Sequence, residues 1–484
     1  KILLVTGKLA EEAVKKAAQE INAEVLVIDV DVAQFISPKL AIKKINKTKK
    51  DYDKIIFPGA TRFNVEEVER EVAIPCFKGP NHPSDLGKVI KEGIELSKIE
   101  SADKLIEKDG QKEAEKAKAE AEKRQESFKI GNLKVRPGLP QRIVAEIIDA
   151  PILSNEEALE RANYYLKSGA DIIDVGAIAG EDNSKRLAEI VKFLKKELQA
   201  PISIDSLNPR ELNACIDAGA DLVLSLNSKN ISVVRNSDNS SYVCIPDENT
   251  TLDEITRKAK ELGFKNIIAD PILHPPFNTA FSISAYATLK DSYDGPVLMG
   301  IGNVVELMDA DSIGINALLA AIAVELDVSL ILVTEHSEKT RNAVKELRRG
   351  LDMCFLAKEK GTLPKDLGIN LLLAKAKDKA DIFDLPELEL IKAEPKGDFA
   401  PDPKGHFKII LDFEKDKIIA MHCKKKCDYV FEGNSAEEIY KSIIDKGLVS
   451  KMGHAAYLGK ELQKAEIYLK LKKSYVQDDD FRGL

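Results

Sequence analysis

Seven polar residues stand at or just beyond the ends of apolar runs: Asp149, Asp174, Asp205, Asn227, Asp270, Asn303 and His336. Carboxylates and carboxamides so placed can fork onto paired N–H donors of a small ligand, and a buried carboxyl or an imidazole can move a proton. Asp205, Asn227 and Asp270 follow their apolar runs almost directly, where an unpaired polar group is costly without a ligand or partner. The plain alternative for each is a cap or a satisfied core group. Asp149 and Asp174 suit strand-end caps equally well, and His336 suits either a phosphate contact or the cap of the next helix. His274, beyond Asp270, lies where a loop would cover a ligand. His422, Cys423 and Cys427 come near a metal-ligand spacing but lack a second ligand pair, so no metal is expected and the cysteines read as ordinary thiols in and beside a strand.

These residues need a scaffold that gathers strand ends. Between residues 142 and 333 eight apolar runs (142–148, 171–175, 202–205, 221–226, 242–245, 266–270, 296–300 and 329–333) alternate with stretches of helical spacing (155–167, 184–198, 209–217, 252–262, 280–289 and 312–325). Ser154, Asn208 and Asp311 are placed as N-caps, and Gly169, Gly219 and Gly263 as C-terminal stops. Eight such units over about 210 residues match a closed (β/α)8 TIM barrel, whose active site lies at the C-terminal ends of the strands. The apolar window 314–333 contains Glu325 and Asp327 and reads as a helix and a buried strand, not a membrane span.

The flanks read differently. Runs at 1–6, 24–28, 53–58 and 74–77 alternate with amphipathic stretches, predicting an N-terminal parallel α/β domain. Gly7 is followed by neither a dinucleotide fingerprint nor a P-loop. Residues 101–127 are dominated by Lys, Glu and Ala and predict a solvated connecting helix. After a charged helix at 342–357 comes a passage rich in Lys, Asp and Pro, densest at 386–403, then a hairpin at 407–412 and 417–421 and helices from Ala436 and His454, a small α+β domain. The predicted division is 1–128, 129–360 and 361–484.

The whole chain has 484 residues, 44% of them hydrophobic and 31% charged, with a formal net charge of -8. That excludes wholesale disorder and gives no global field for nucleic acid or an anionic membrane. Six cysteines make no disulfide framework, and no signal peptide is visible, so a reducing, cytoplasmic setting is expected. Trp is absent while Lys, Glu and Ile are abundant, a balance found in proteins of hot environments.

Asp171-Ile-Ile-Asp-Val-Gly176, Ser203-Ile-Asp-Ser206, Ala218-Gly-Ala-Asp221 and Ile267-Ile-Ala-Asp-Pro271 follow one another in order. They resemble blocks of the pterin-binding barrel of dihydropteroate synthases, a superfamily that also contains methyltransferases passing a methyl group from a reduced methylpterin or methylfolate to a corrinoid. The resemblance spans roughly residues 142–345, and the whole chain resembles archaeal proteins described as dihydropteroate-synthase-related. It implies that Asp270 forks onto the pterin's amino and ring N–H groups, that Asn227 bonds a neighbouring ring edge, and that Asp205 faces the reduced ring.

The departures from that pattern bear on the reaction. A synthase of this kind carries a Gly-Glu-Ser-Thr-Arg-Pro-Gly-like loop, a Ser-Arg-Lys and an Arg-Val-His, where this chain has Gly176-Ala-Ile-Ala-Gly-Glu-Asp182, Gly300-Ile-Gly-Asn303 and Thr334-Glu-His336. The cations that would hold a departing pyrophosphate are missing. Gly300-Ile-Gly-Asn-Val304 is instead similar to a segment of the methyltransferase branch, in which the asparagine bonds the methyl-bearing ring nitrogen. The first expectation is therefore methyl transfer from a reduced pterin of tetrahydromethanopterin or tetrahydrofolate type, with Asp205 and Asn303 catalytic, and Asp205, Asn227, Asp270, Asn303 and His336 binding the pterin. A corrinoid would sit on a partner protein; a second copy of the chain is the other macromolecular partner considered. A divergent synthase joining a pterin to an arylamine and a non-catalytic pterin-binding scaffold are the alternatives.

Overall fold

The computed structural model describes residues 1–48, 51–91, 93–375, 391–393 and 401–479. The chain divides into two compact units, Lys1–Gln125 with Leu351–Asn370, and Glu126–Gly350 with Leu371–Leu484.

In the first unit β1 (Ile2–Thr6), β2 (Glu24–Val27), β3 (Lys54–Phe57) and β4 (Cys76–Lys78) form a parallel sheet in the order β2-β1-β3-β4. Successive side chains point to opposite faces: Leu3, Val5, Ile55 and Phe57 enter one core with Ala41, Ile45 and Val68, while Leu4 and Ile56 enter another with Val14 and Ala18. A Cβ on Gly7 would stand 2.9 Å from Ala33 N and from Asp31 O, so this glycine serves a close backbone approach. The charged stretch is a helix, Ala102–Ala121, but it is not solvated all round. Gly110, Ala114 and Ala121 are buried, Ala114 packs with Leu356 and Ile369, and Lys118 Nζ lies 2.9 Å from the buried Asp352. Gly110, Ala114, Ala117 and Ala121, at spacings of four, three and four, make an apolar stripe that composition alone conceals.

The second unit holds the barrel. Strands β7 (Arg142–Ile147), β8 (Ile172–Gly176), β9 (Ile202–Asp205), β10 (Leu222–Leu226), β11 (Ser241–Cys244), β12 (Ile267–Ala269), β13 (Leu298–Gly300) and β14 (Leu330–Thr334) are parallel neighbours in the order β12-β11-β10-β9-β8-β7-β14-β13. A parallel bridge from Ala269 to Val297 joins the two ends, making an eight-stranded (β/α)8 TIM barrel. Ser154 caps its helix in a reciprocal capping box, Asn208 caps the helix Pro209–Asp217 through Arg210 N, and Gly169, Gly219 and Gly263 have positive φ at helix ends. Asp311 occupies its N-cap position without a side-chain bond.

A hairpin before the barrel, β5 (Phe128–Ile130) and β6 (Leu133–Val135), was not expected from the sequence. Its Ile130 and Val135 pack with Ile172, Leu222, Leu298 and Leu330, which begin or lie near the beginning of their strands, so it closes the end of the barrel opposite the polar mouth.

Residues 401–479 add β15 (His406–Asp412), β16 (Lys417–Cys423) and β17 (Cys427–Gly433), an antiparallel sheet backed by helices Ala436–Asp445 and Met452–Leu471. Ile409, Ile418, Ile439, Ile443, Leu458 and Leu462 form its core. Strand β17 escaped the sequence reading because six of its seven residues are not buried and show no alternation. The expectation of two ordinary thiols is corrected: the register sets Cys423 opposite Cys427, and the two form a disulfide. Cys76, Cys215, Cys244 and Cys354 are free and buried. The proline-rich passage at 386–403 lies mostly outside the described residues. Among the described residues no helix is long and apolar enough to cross a membrane, and no group of three His, Cys, Asp or Glu is placed to hold a metal ion.

Candidate active site at the barrel mouth

The five acidic residues of the matching blocks separate into two kinds. Asp171 and Asp221 brace the starts of strands: Asp171 Oδ2 accepts from Ile143 N at 2.8 Å and pairs with Arg348, and Asp221 Oδ2 accepts from Ile202 N at 2.8 Å and pairs with Lys195 at 2.8 Å. Each ties a strand to its predecessor and has its charge matched by a cation. Asp174, Asp205 and Asp270 lie further along or just after their strands and have no such cation among the described residues.

Asp174 is fully buried on β8. Its Oδ1 accepts from Ser203 Oγ at 2.5 Å, while Oδ2 is buried without a partner among the described residues. Asp205 ends β9 and accepts from Ser225 Oγ at 2.7 Å. Ser225 holds φ at 71°, a left-handed conformation unusual for a side-chain-bearing residue, at the place where its hydroxyl meets Asp205. Asp270 follows β12, and its Oδ1 accepts from Ile272 N and from Tyr286 Oη, both at 2.8 Å. Its Oδ2 has no protein donor among the described residues.

Glu146 on β7 completes the cluster and was overlooked as a site residue. It sits within the first strand rather than beyond it, and only the β-sheet period would have turned it toward Asp205 and away from the outer face. Its carboxyl makes no hydrogen bond among the described residues, and a Cβ on Gly176 would stand 2.6 Å from Glu146 Oε1. The final glycine of the Asp171–Gly176 block thus makes room for this side chain.

These carboxyls share one electrostatic condition. Burial, then the charges of Asp205 and Asp149, raise Glu146 to about 7. Burial, then Asp205 and Glu146, raise Asp174 well above the usual carboxylate range against the pull of Ser203. Burial raises Asp205, opposed by the Ser225 hydroxyl. Burial raises Asp270 to about 6 against the Ile272 and Tyr286 donors, with Asp205 adding to the rise. The neighbouring charges that act on them are other carboxylates, so the mouth retains protons near neutrality.

The remaining expected residues occupy distinct settings. Asn227 is buried and its Oδ1 accepts from Lys229 N at 2.9 Å and Asn230 N at 3.3 Å, closing the turn after β10. That is the capping role, and it leaves the Nδ2 group without a protein partner among the described residues. Asn303 is exposed in the short helix Gly302–Val305 after β13, and its Nδ2 donates to Leu273 O at 2.9 Å, across to the loop after β12. His336 is exposed; its backbone N–H donates to Glu306 Oε1, and the position before the next 3-10 helix belongs to Ser337, so the expected cap is corrected. Glu306 also accepts from Ser337 Oγ and Thr340 Oγ1, both at 2.6 Å, and so fixes the loop after β14. Asp149 takes a left-handed φ of 47° before the 3-10 helix Ala150–Ile152 and makes no side-chain cap. His274 is exposed.

The loops of the mouth expose apolar side chains. Ile152, Leu207, Phe277, Phe281 and Leu307 follow β7, β9, β12 and β13, and all are exposed, Phe277 completely.

The family described as "Pterin binding enzyme" matches residues 148–244, that described as "PterinBD-DUF4346" matches 401–478, and a family of unknown function matches 1–81. An uncharacterized protein of Methanocaldococcus jannaschii is 37% identical over 519 aligned positions, covering 99% of this chain and 98% of that protein. A dihydropteroate synthase of Clostridium beijerinckii is 29% identical over 141 positions, 24% of this chain and 52% of that one. Among solved structures, a Yersinia pestis dihydropteroate synthase with a pterine-sulfa conjugate is 17% identical, covers 48% of this chain and 98% of its own, and has a TM-score of 0.37. The chain belongs to the family of the Methanocaldococcus jannaschii protein and is a dihydropteroate-synthase-related protein built around a pterin-binding barrel.

Proposed function

We propose that the barrel mouth binds a reduced pterin, of tetrahydromethanopterin or tetrahydrofolate type, and promotes transfer of its methyl group to an acceptor carried by a partner, a corrinoid in the reading favoured here. Asp270 Oδ2, without a protein donor among the described residues, receives the paired amino and ring N–H groups, while Ile272 and Tyr286 hold Oδ1 and so fix the plane of the carboxyl. The Asn227 Nδ2 group meets a second ring edge, and His336 stands across the barrel mouth on the loop after β14 that Glu306 anchors.

The observation that carries the reading is the cluster of Glu146, Asp174 and Asp205, which retains protons and has no lysine or arginine among its main electrostatic neighbours. When a methyl group leaves a ring nitrogen, the nitrogen keeps the bonding electron pair and is best stabilised by a hydrogen bond or a proton. Asn303 offers the hydrogen bond, and Asp205, with Glu146 behind it, offers the proton. A departing pyrophosphate would require cations in the same place, which favours methyl transfer over synthesis of a pterin–arylamine product. The exposed apolar rim, with Phe277 and Phe281, supports an acceptor delivered by a protein.

The test is single-turnover transfer from a methylated reduced pterin to a free, reduced corrinoid, followed by absorbance. Transfer that falls by about a hundredfold or more in Asp205→Asn or Asn303→Ala is expected. Condensation of a pterin pyrophosphate with an arylamine, in place of methyl transfer, would overturn it.

A further inference from the structure

The module at residues 401–479 contains a cavity of about 770 Å³ lined by Asp402, Gly405, His406, Lys424, Lys451, Gly453, His454 and Tyr457 among others. Its chemistry is organised by Asp402, a buried carboxylate. Burial alone would raise it, yet Ser450 Oγ and the backbone N–H groups of Lys404, Ser450 and Lys451 together hold it well below the usual carboxylate range. Its Oδ2 also lies 3.2 Å from His454 Nδ1. With Nδ1 turned to that carboxylate, the second ring nitrogen, Nε2, is left without a protein partner among the described residues, on a side chain only 8% exposed that lines the cavity.

Positive charge surrounds this imidazole. Lys424 and Lys451 line the cavity and form no ion pair among the described residues. The helix Met452–Leu471 begins there with no side-chain cap, and the N–H groups of Met452, Gly453 and His454 have no protein acceptor among the described residues. Asp402, the one carboxylate in the lining, is already saturated by its donors.

We propose that this cavity is a second ligand site, separate from the barrel, which takes a small molecule bearing a phosphoryl group. Two ammonium groups and a helix N-terminus converge as separate point donors, a disposition suited to a tetrahedral oxyanion, and His454 Nε2, with Nδ1–H given to Asp402, accepts from a protonated phosphoryl oxygen. The planar guanidinium fork that favours carboxylates is absent from the lining. The volume leaves room for an organic body beyond the phosphoryl group, against Tyr457.

Calorimetric titration of the full chain with inorganic pyrophosphate, and in parallel with glutarate, tests the proposal. Saturable pyrophosphate binding is expected, weakened about tenfold in each of Lys424→Ala and Lys451→Ala and also weakened in His454→Gln, with glutarate binding much more weakly. The lysines are exposed, so their variants retain the fold even if His454→Gln loses stability. Absence of saturable binding, unchanged affinity in both lysine variants, or glutarate binding as tight as pyrophosphate would each overturn it. The outcome is independent of the barrel, whose reading is tested by methylpterin and not by pyrophosphate.

Discussion

Replacing Glu146 by Gln isolates the electrostatic condition on which the barrel reading depends. Burial and the neighbouring carboxylates raise this group from 4.5 to about 7. The folded protein therefore holds the proton more tightly than the unfolded chain does. The resulting contribution to stability is fully present below pH 4.5 and is lost as pH rises through about 7. At about 1.36 kcal/mol per tenfold change in proton affinity, the full gap is worth about 3 kcal/mol, most of which is lost between pH 5 and pH 8. Gln keeps the shape and neutrality of the protonated acid and cannot lose the proton. Denaturant unfolding of both proteins at pH 5, 6, 7 and 8 should show the variant gaining on the native chain by roughly 2–3 kcal/mol across that range. Parallel stability curves would refute the account, because they would mean that Glu146 titrates in the folded protein as it does in water.

The other perturbations probe its neighbours. Gly176→Ala should destabilise by about 1–3 kcal/mol through the contact with Glu146 Oε1, and a double-mutant cycle with Glu146→Ala should recover part of that loss. Tyr286→Phe removes a donor that lowers Asp270, so Asp270 should hold its proton to higher pH and the acid limb of pterin binding, followed by calorimetry against pH, should move upward. Asn303→Ala should lower the turnover of methyl transfer by about a hundredfold with little change in KM, as measured by steady-state kinetics.

The barrel was legible because its strands are short apolar runs bounded by polar residues and several of its helices carry their own caps, Ser154, Asn208 and Thr251 among them. Residues 155–167 and 209–217 match their helices end to end, and the run at 202–205 matches its strand. The polar positions Asp205 and Asp270 stood out for the same reason, since a carboxylate beside buried strands needs a physical cause, whereas Asp174 read equally well as a strand-end cap. Glu146 was missed because it interrupts an apolar run from within, where one polar residue resembles an outward-facing position. Tyr286 and Ser225, which donate to Asp270 and Asp205, were invisible because a donor's target is set by tertiary packing. The plug hairpin 128–135 is too short to announce itself, and the buried stripe of Gly110, Ala114 and Ala121 is made of residues that hydropathy scarcely registers.

Calorimetric titration of the full chain with a methylated reduced pterin, comparing the native protein with Asp270→Asn, tests the central claim most directly. The account predicts saturable binding to the native chain, weakened about a hundredfold in the variant, whose carboxamide can no longer accept two parallel N–H donors. A native chain that binds no reduced pterin, or one that binds it equally well without the Asp270 carboxylate, would contradict it.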